Sequence, residues 1–201
     1  MAGTMLAILL ARRGFEIDLF EKHPHPHSGE RSIELMSNLA LGERARHALE
    51  VTGLLEQVER LATPMRGRMI HDRSGRLTLQ PYGYRDYETL YSVRRESLLH
   101  CLLYEAEQNS RIRVHFNHGL QRIDWDEQFA EFSSGSNGSG VRHHFEVLIG
   151  ADGPASRTRR EMEAHSDLGS DIEMLDAGYK FLTIPADANH EAVMDPNALH
   201  V

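Results

Sequence analysis

Apolar positions in the first twenty residues follow two different periods. Thr4 to Arg13 (TMLAILLARR) is apolar at nearly every position, which predicts a helix buried all round and closed by Gly14 as its C-cap. Phe15 to Phe20 (FEIDLF) alternates strictly between apolar and charged residues, which predicts a strand with Glu21 at its end. Helix, glycine, strand and terminal carboxylate make the second half of a βαβ unit. The expectation is therefore an α/β chain that starts partway through its first unit.

Further along, the prolines and glycine of HPHPHSG (23–29) mark a loop. Leu39 to Val51 reads as helical, and Leu54 to Leu61 as a second short helix after Gly53. Arg66–His71 and Leu77–Gln80 read as strands around the turn Asp72-Arg73-Ser74-Gly75, a hairpin, with another strand at Thr89–Val93. Glu96–Gln108 carries Leu98, Leu99, Leu102, Leu103 and Ala106 on one helical stripe. Strands at Ile112–Phe116, Leu120–Trp125 and Phe129–Phe132 precede a Ser/Gly/Asn tract at 133–140, read as a flexible turn. Phe145–Ile149 reads as a buried strand entering Gly150-Ala151-Asp152-Gly153, followed by a short helix at Ala155–Glu163. Residues 164–176 read as an acidic linker, and Gly178–Ile184 as a last strand.

Composition narrows the class. The chain has 201 residues, 30 acidic against 22 basic, for a net charge of −8. That length suits one domain or one and a half. The acidic balance argues against a nucleic-acid partner. The longest apolar run, Met5–Ala11, is far short of a bilayer span, and no charged segment precedes it as in a secretory signal. The one cysteine, Cys101, excludes a disulfide framework or a Cys-rich zinc site, and its place in the amphipathic helix suggests a buried structural thiol. The expectation is a cytoplasmic globular protein without metal. Oligomeric state is left open.

Three constellations carry chemistry, each with a plainer alternative. Ala2-Gly3 at the head of a buried helix, with Glu21 beyond the next strand, is what the end of a dinucleotide fingerprint looks like, or an unrelated helix–strand pair with a surface glutamate. GADGPASRTR (150–159) brings glycines and Asp152 to a helix N-terminus suited to phosphate or ribose, or is an Asp-Gly turn with Ser156 as its cap. RGRMIH (66–71) and QPYG (80–83) lie on opposite hairpin arms, where an Arg and a Tyr facing one cavity make a carboxylate clamp, or the arginines are merely solvated. His23, His25 and His27 read as a solvated loop, and His143-His144 lies in a strand with its rings on opposite faces. No G-x-S-x-G supports a serine hydrolase.

At these motifs the chain resembles the aromatic-ring hydroxylase branch of the FAD-dependent monooxygenases. The resemblance runs nearly end to end, through LARRGFEIDLFEK, ERSI, NLAL, RHALE, PMRGRMIH, QPYG, YSVRRESL, VHFNH, IGADGPASRTR, GYKFLTIP and MDPNALH. GADGPASRTR is common to many flavin monooxygenases. PMRGRMIH together with QPYG is similar to the kynurenine 3-monooxygenase family within that branch, over its N-terminal half.

The resemblance implies a Rossmann-like FAD-binding domain lacking its first strand, with part of an inserted β-sheet substrate domain. Residues 1–63 and 95–164 would form the first, and 64–94 and 165–201 the second. It implies that Ala2 and Gly3 end the FAD pyrophosphate loop and that Phe20, Glu21 and Lys22 surround the adenosine ribose. Ala40 and Arg95 would lie at FAD, Leu120 would flank the adenine, and Asp152 belongs to the flavin and nicotinamide turn. Arg68 and Tyr82 would hold the amino-acid carboxylate of L-kynurenine. The implied reaction is hydroxylation to 3-hydroxykynurenine, in tryptophan catabolism and NAD biosynthesis, with NADPH reducing FAD and O2 as oxidant. No side chain of this half is expected to act as a catalytic nucleophile, acid or base. A chain truncated at both ends is expected to be poorly stable and inactive. The alternatives are a hydroxylase of salicylate-like acids, or a non-catalytic remnant or flavin binder.

Overall fold

The computed structural model describes residues 1–28, 37–85, 87–134, 139–178 and 184–201. In chain order the first elements are α1 (Ala2–Ala11), β1 (Ile17–Phe20), a single 3-10 turn (Pro26–Ser28), β2 (Asn38–Leu41), α2 (Glu43–Val51) and α3 (Leu55–Glu59). Next come β3 (Thr63–Met65), β4 (Gly67–His71), β5 (Leu77–Pro81), β6 (Leu90–Arg94) and α4 (Arg95–Glu107). The last are β7 (Ile112–His115), β8 (His118–Asp124), β9 (Phe129–Ser134), β10 (Ser139–His144), α5 (Arg157–His165) and β11 (Ala198–His200). No described helix is long and apolar enough to cross a membrane. The chain divides into two compact units, Met1–Arg31 with Leu102–Asp176, and Ser32–Cys101 with Ala177–Val201.

In the first unit, β1 pairs parallel with β7, from Ile17 opposite Ile112 to Phe20 opposite His115. Parallel neighbours need a long crossover. α1 buries Thr4, Ala7, Ile8 and Ala11, one stripe rather than its whole circumference. Gly14 ends it in the left-handed region at φ 93°, as a C-cap glycine does. A side chain at Gly3 would put its Cβ 3.2 Å from Ala151 Cβ and 3.5 Å from Leu19 Cδ1, so this glycine lets the helix lie close on strand and turn. β8, β9 and β10 form an antiparallel meander with an irregularity between Leu120 and Arg122.

The second unit holds two small sheets, ordered β2-β6-β3 and β11-β4-β5. The first is antiparallel throughout, and in the second β11 runs parallel to β4. Leu41, Leu49, Leu54, Val58, Met65 and Val93 are buried here. On α4, which begins in this unit and ends in the first, Leu98, Leu102, Leu103 and Ala106 of the expected stripe are buried and Leu99 is half-buried. Cys101 is buried as well, and burial pushes its thiol above the ordinary range.

Four expectations need correction. Asn38–Leu41 is a strand, not the start of a helix, because β6 offers it a ladder partner. Phe145–Ile149 is neither strand nor buried: no described strand pairs with it, and Val147 is 78% exposed. Ser139 and Gly140, read as the end of a turn, instead open β10, which pairs with β9 and includes the expected strand residues His143 and His144. Ala198–His200, unread in the sequence, is a strand against β4. Residues 179–183 of the expected last strand and the centre of the 133–140 tract lie outside the described residues.

Asp18 ties the strands of the first unit together. Its carboxylate accepts from Arg113 Nε at 2.9 Å and Nη2 at 2.8 Å, and pairs with His115 Nε2 at 2.8 Å and His143 Nε2 at 3.3 Å. The Arg113 hydrogen bonds hold its pKa far below the usual carboxylate range, against the opposing effect of burial and with help from His115. A carboxyl whose folded pKa is depressed stabilises the fold above its unfolded pKa of ~3.9, and that contribution fades as pH falls through it. Asp18→Asn should therefore lower the urea midpoint most near neutrality, with the gap to wild type closing below about pH 4. A gap independent of pH would contradict this role.

Candidate functional site

The β4–β5 ladder sets Arg68 opposite Gln80 and Gly67 opposite Pro81. The Tyr82 N–H donates to Arg66 O at 3.0 Å, extending the pairing past the end of β5. Strand alternation then places Arg68, Gln80 and Tyr82 on one face. Together with Pro81 they line a cavity of about 180 Å³. The Tyr82 hydroxyl is buried and has no hydrogen-bond partner among the described residues. A buried hydroxyl left unpaired costs stability unless a ligand meets it. Arg68 and Gln80 are exposed and Tyr82 is half-buried. A guanidinium and a phenol beside one small space are the donor types that suit a carboxylate. The volume suits one polar end of a ligand rather than a whole drug-sized molecule.

Two glycines shape this corner. A Cβ at Gly67 would lie 2.8 Å from Pro81 Cα and closer still to the Gln80 carbonyl oxygen. Beyond Tyr82, Glu88 Oε2 accepts the N–H groups of Tyr84 at 2.7 Å and Arg85 at 3.0 Å, and the Gly83 Cα packs directly on that side chain.

The first unit carries the residues proposed for the cofactor's nucleotide end. Ala2 and Gly3 start α1, whose first turn has no side-chain cap and no acidic residue, leaving its amides suited to an anion. Phe20 is closed on both faces, by Phe132 at 3.9 Å and His115 at 4.6 Å between ring centroids, so its ring cannot stack face-on with an adenine. Glu21 Oε1 accepts the His23 N–H at 2.9 Å, while Lys22 is exposed. Leu120 on β8 faces Phe132 across the ladder.

Asp152 is committed to the start of α5. Oδ1 accepts from Ser156 Oγ at 2.5 Å, and Oδ2 accepts from Arg157 N at 2.7 Å, Thr158 N at 3.0 Å and Thr158 Oγ1 at 3.2 Å. Burial alone would raise its pKa, but the bonds from Ser156, Thr158 and Arg157 outweigh burial and lower it. Ser156 Oγ in turn accepts from Arg159 N at 2.9 Å. The Asp-Gly turn with a serine cap, one of the two readings left open, is thus built here. Asp152 has no side-chain oxygen left uncommitted, so any part it takes in a flavin site runs through the turn's backbone.

In the second unit, Ala40 is exposed on β2 opposite Ser92. Arg95 opens α4, its N–H donates to Ser37 O at 3.0 Å, and its Nε is buried with no partner among the described residues. His25 Nε2 contacts Glu107 Oε1 at 3.2 Å, and no metal-holding group of three His, Cys, Asp or Glu occurs among the described residues. Sequence reasoning passed over Asp18, His115, Phe132 and His143. The one local signal was a carboxylate in the middle of an apolar strand.

The family model described as FAD binding domain matches residues 1–194. A kynurenine 3-monooxygenase of Stenotrophomonas maltophilia is 40% identical over 201 residues, covering 100% of this chain and 44% of the relative. The enzyme of that name from Xanthomonas campestris is 42% identical over the same shares. The chain thus spans 44% of the length of these curated relatives. Among solved structures, the flavin-dependent monooxygenase PieE in complex with FAD and substrate matches at TM-score 0.68 and 20% identity, over 81% of this chain and 30% of its own. Pseudomonas aeruginosa PqsL in complex with 2-aminobenzoylacetate matches at TM-score 0.62 and 23% identity, over 87% of this chain and 45% of its own. At these identities the two structures establish a shared fold.

Gly67 has no room for a methyl group, so Gly67→Ala must push β5 away from β4. Overpacking of this kind costs ~1–3 kcal/mol. The expected result is a clearly lowered thermal midpoint, and a wild-type midpoint would contradict the close contact.

Proposed function

We propose, from the premise that this chain belongs to the FAD binding domain family, that it is part of a flavin-dependent hydroxylase of L-kynurenine. The observation that carries this reading is that Tyr82, whose buried hydroxyl has no partner among the described residues, lines one cavity with Arg68. In that role the guanidinium and phenol hold the substrate's α-carboxylate, and the aromatic ring extends beyond the small cavity. The hairpin contributes binding and orientation, not acid or base chemistry.

For the cofactor, the residues present fit an anionic dinucleotide. The first turn of α1, with no side-chain cap, suits a pyrophosphate, and the buried Nε of Arg95 is a donor with no acceptor among the described residues. Ala2, Gly3, Phe20, Glu21, Lys22, Ala40, Arg95, Leu120 and the Asp152 turn are the residues we assign to FAD. When bound, the flavin supplies the redox and oxygen chemistry, for which NADPH and O2 are the proposed co-substrates. Residues 1–63 with 95–164, and 64–94 with 165–201, are taken as the cofactor and substrate portions. The product would be 3-hydroxykynurenine, made in the cytoplasm for tryptophan breakdown and NAD synthesis.

Removing one charged donor from a carboxylate costs ~1.5–3 kcal/mol, or roughly ten- to a hundredfold in affinity. In the flavin-loaded protein, Arg68→Ala should weaken L-kynurenine binding by that factor and leave the yellow flavin absorbance intact. Unchanged kynurenine affinity in a variant that still holds flavin would overturn the assignment.

A further inference from the structure

Asp18 has no part in the substrate pocket, yet it makes the densest set of polar contacts around the strands of the first unit. It gathers a guanidinium and two imidazoles from β7 and β10 while its own side chain is 15% exposed. One of those imidazoles, His115, stacks on Phe20 with planes 13° apart, and Phe132 covers the opposite face at 9°. His143 meets the edge of the same ring at 5.1 Å. His118 lies at its edge too, at 6.1 Å, and Asp18 contacts two of these four rings, His115 and His143.

The main chain just beyond Phe20 is held as well. The Glu21 N–H donates to His115 O at 2.9 Å, and the Glu21 carbonyl accepts the His118 N–H at 2.9 Å. The carboxylate assigned to the ribose thus sits on a backbone pinned on both sides, one residue beyond a locked ring. Both faces of the Phe20 ring are taken, so the ring holds the chain and the part of Phe20 in the proposed FAD site is left to its main chain. Groups that contact a ligand keep their geometry only when a supporting layer fixes them.

We propose that Asp18 is the positioning residue of the nucleotide end: through His115 and His143 it locks Phe20 in its stack and so sets the main chain at Glu21 for an adenosine ribose. This role rests on the proposed contact between Glu21 and the cofactor. Arg113 stabilises the Asp18 charge, and Glu16 lies 3.7 Å from Arg113 on the far side. Neither is needed at the ligand.

The test separates the adenosine end of the cofactor from its flavin end. ADP, which carries only the adenosine pyrophosphate, and FMN, which lacks the adenosine, are titrated beside FAD into the wild-type chain and its variants. Asp18→Asn is expected to weaken ADP and FAD on the order of tenfold while leaving FMN unchanged. Its effect should vanish in a Glu21→Gln background. His115→Ala, which leaves the Arg113–Asp18 pair in place, should give the same ADP-selective loss and serves if Asp18→Asn fails to fold. Equal losses for ADP and FMN, or effects additive with Glu21→Gln, would reduce Asp18 to a general stabiliser and overturn the proposal. If the wild-type chain binds neither FAD nor ADP, the cofactor reading itself fails. The positioning step is then read by NMR: Asp18→Asn must shift the Phe20 ring and Glu21 amide resonances, and an unmoved pair overturns it.

Discussion

At Gly67 the backbones of β4 and β5 approach so closely that no side chain fits between them, and the geometry of the hairpin depends on that contact. The close approach fixes the register that puts Arg68 opposite Gln80, with Tyr82 two residues further along the same face. A slip of one residue would turn Tyr82 to the other side of the sheet and dissolve the clamp. The Tyr82 N–H donates to Arg66 O, and the turn that follows is held by Glu88. Buried unpaired polar atoms are few in native structures, and the Tyr82 hydroxyl, with no partner among the described residues, belongs to a residue that shares a cavity with an arginine.

The first unit follows a different logic. Its close contact, Gly3 against Ala151 and Leu19, draws a helix onto a strand and a turn. Electrostatics then organise the neighbouring strands, with one carboxylate serving three cationic or imidazole partners. Such a hub is stable because each partner satisfies part of a charge that would be costly to bury alone. Asp152 repeats the device at smaller scale, closing a turn and starting α5 with one side chain. The hairpin and the strands around Phe20 thus rest on different forces, steric in the first and largely electrostatic in the second.

Periodicity made much of this legible. The α1–β1 pair, the β4–β5 hairpin, α4 and the strands at β7 to β9 are all written in local alternation or helical stripes. The failures came where pairing, not pattern, decides. Asn38–Leu41 is as compatible with a helix as with a strand until β6 lies beside it. Phe145–Ile149 has a strand's composition but no ladder among the described residues. Ala198–His200 is too short to announce itself and exists only against β4, more than a hundred residues away in sequence. That Arg68 and Tyr82 would line one space could be foreseen because hairpin register is local. The stack around Phe20 could not, since its members come from four separate strands.

The central claim is that the hairpin cavity recognises a carboxylate. Calorimetric titration of the protein with L-kynurenine, and with its decarboxylated amine analogue, tests it most directly. Loss of the one group that both Arg68 and Tyr82 would hold should weaken binding roughly ten- to a hundredfold. Equal affinity for the acid and the amine would contradict the account, because the clamp would then have nothing to hold.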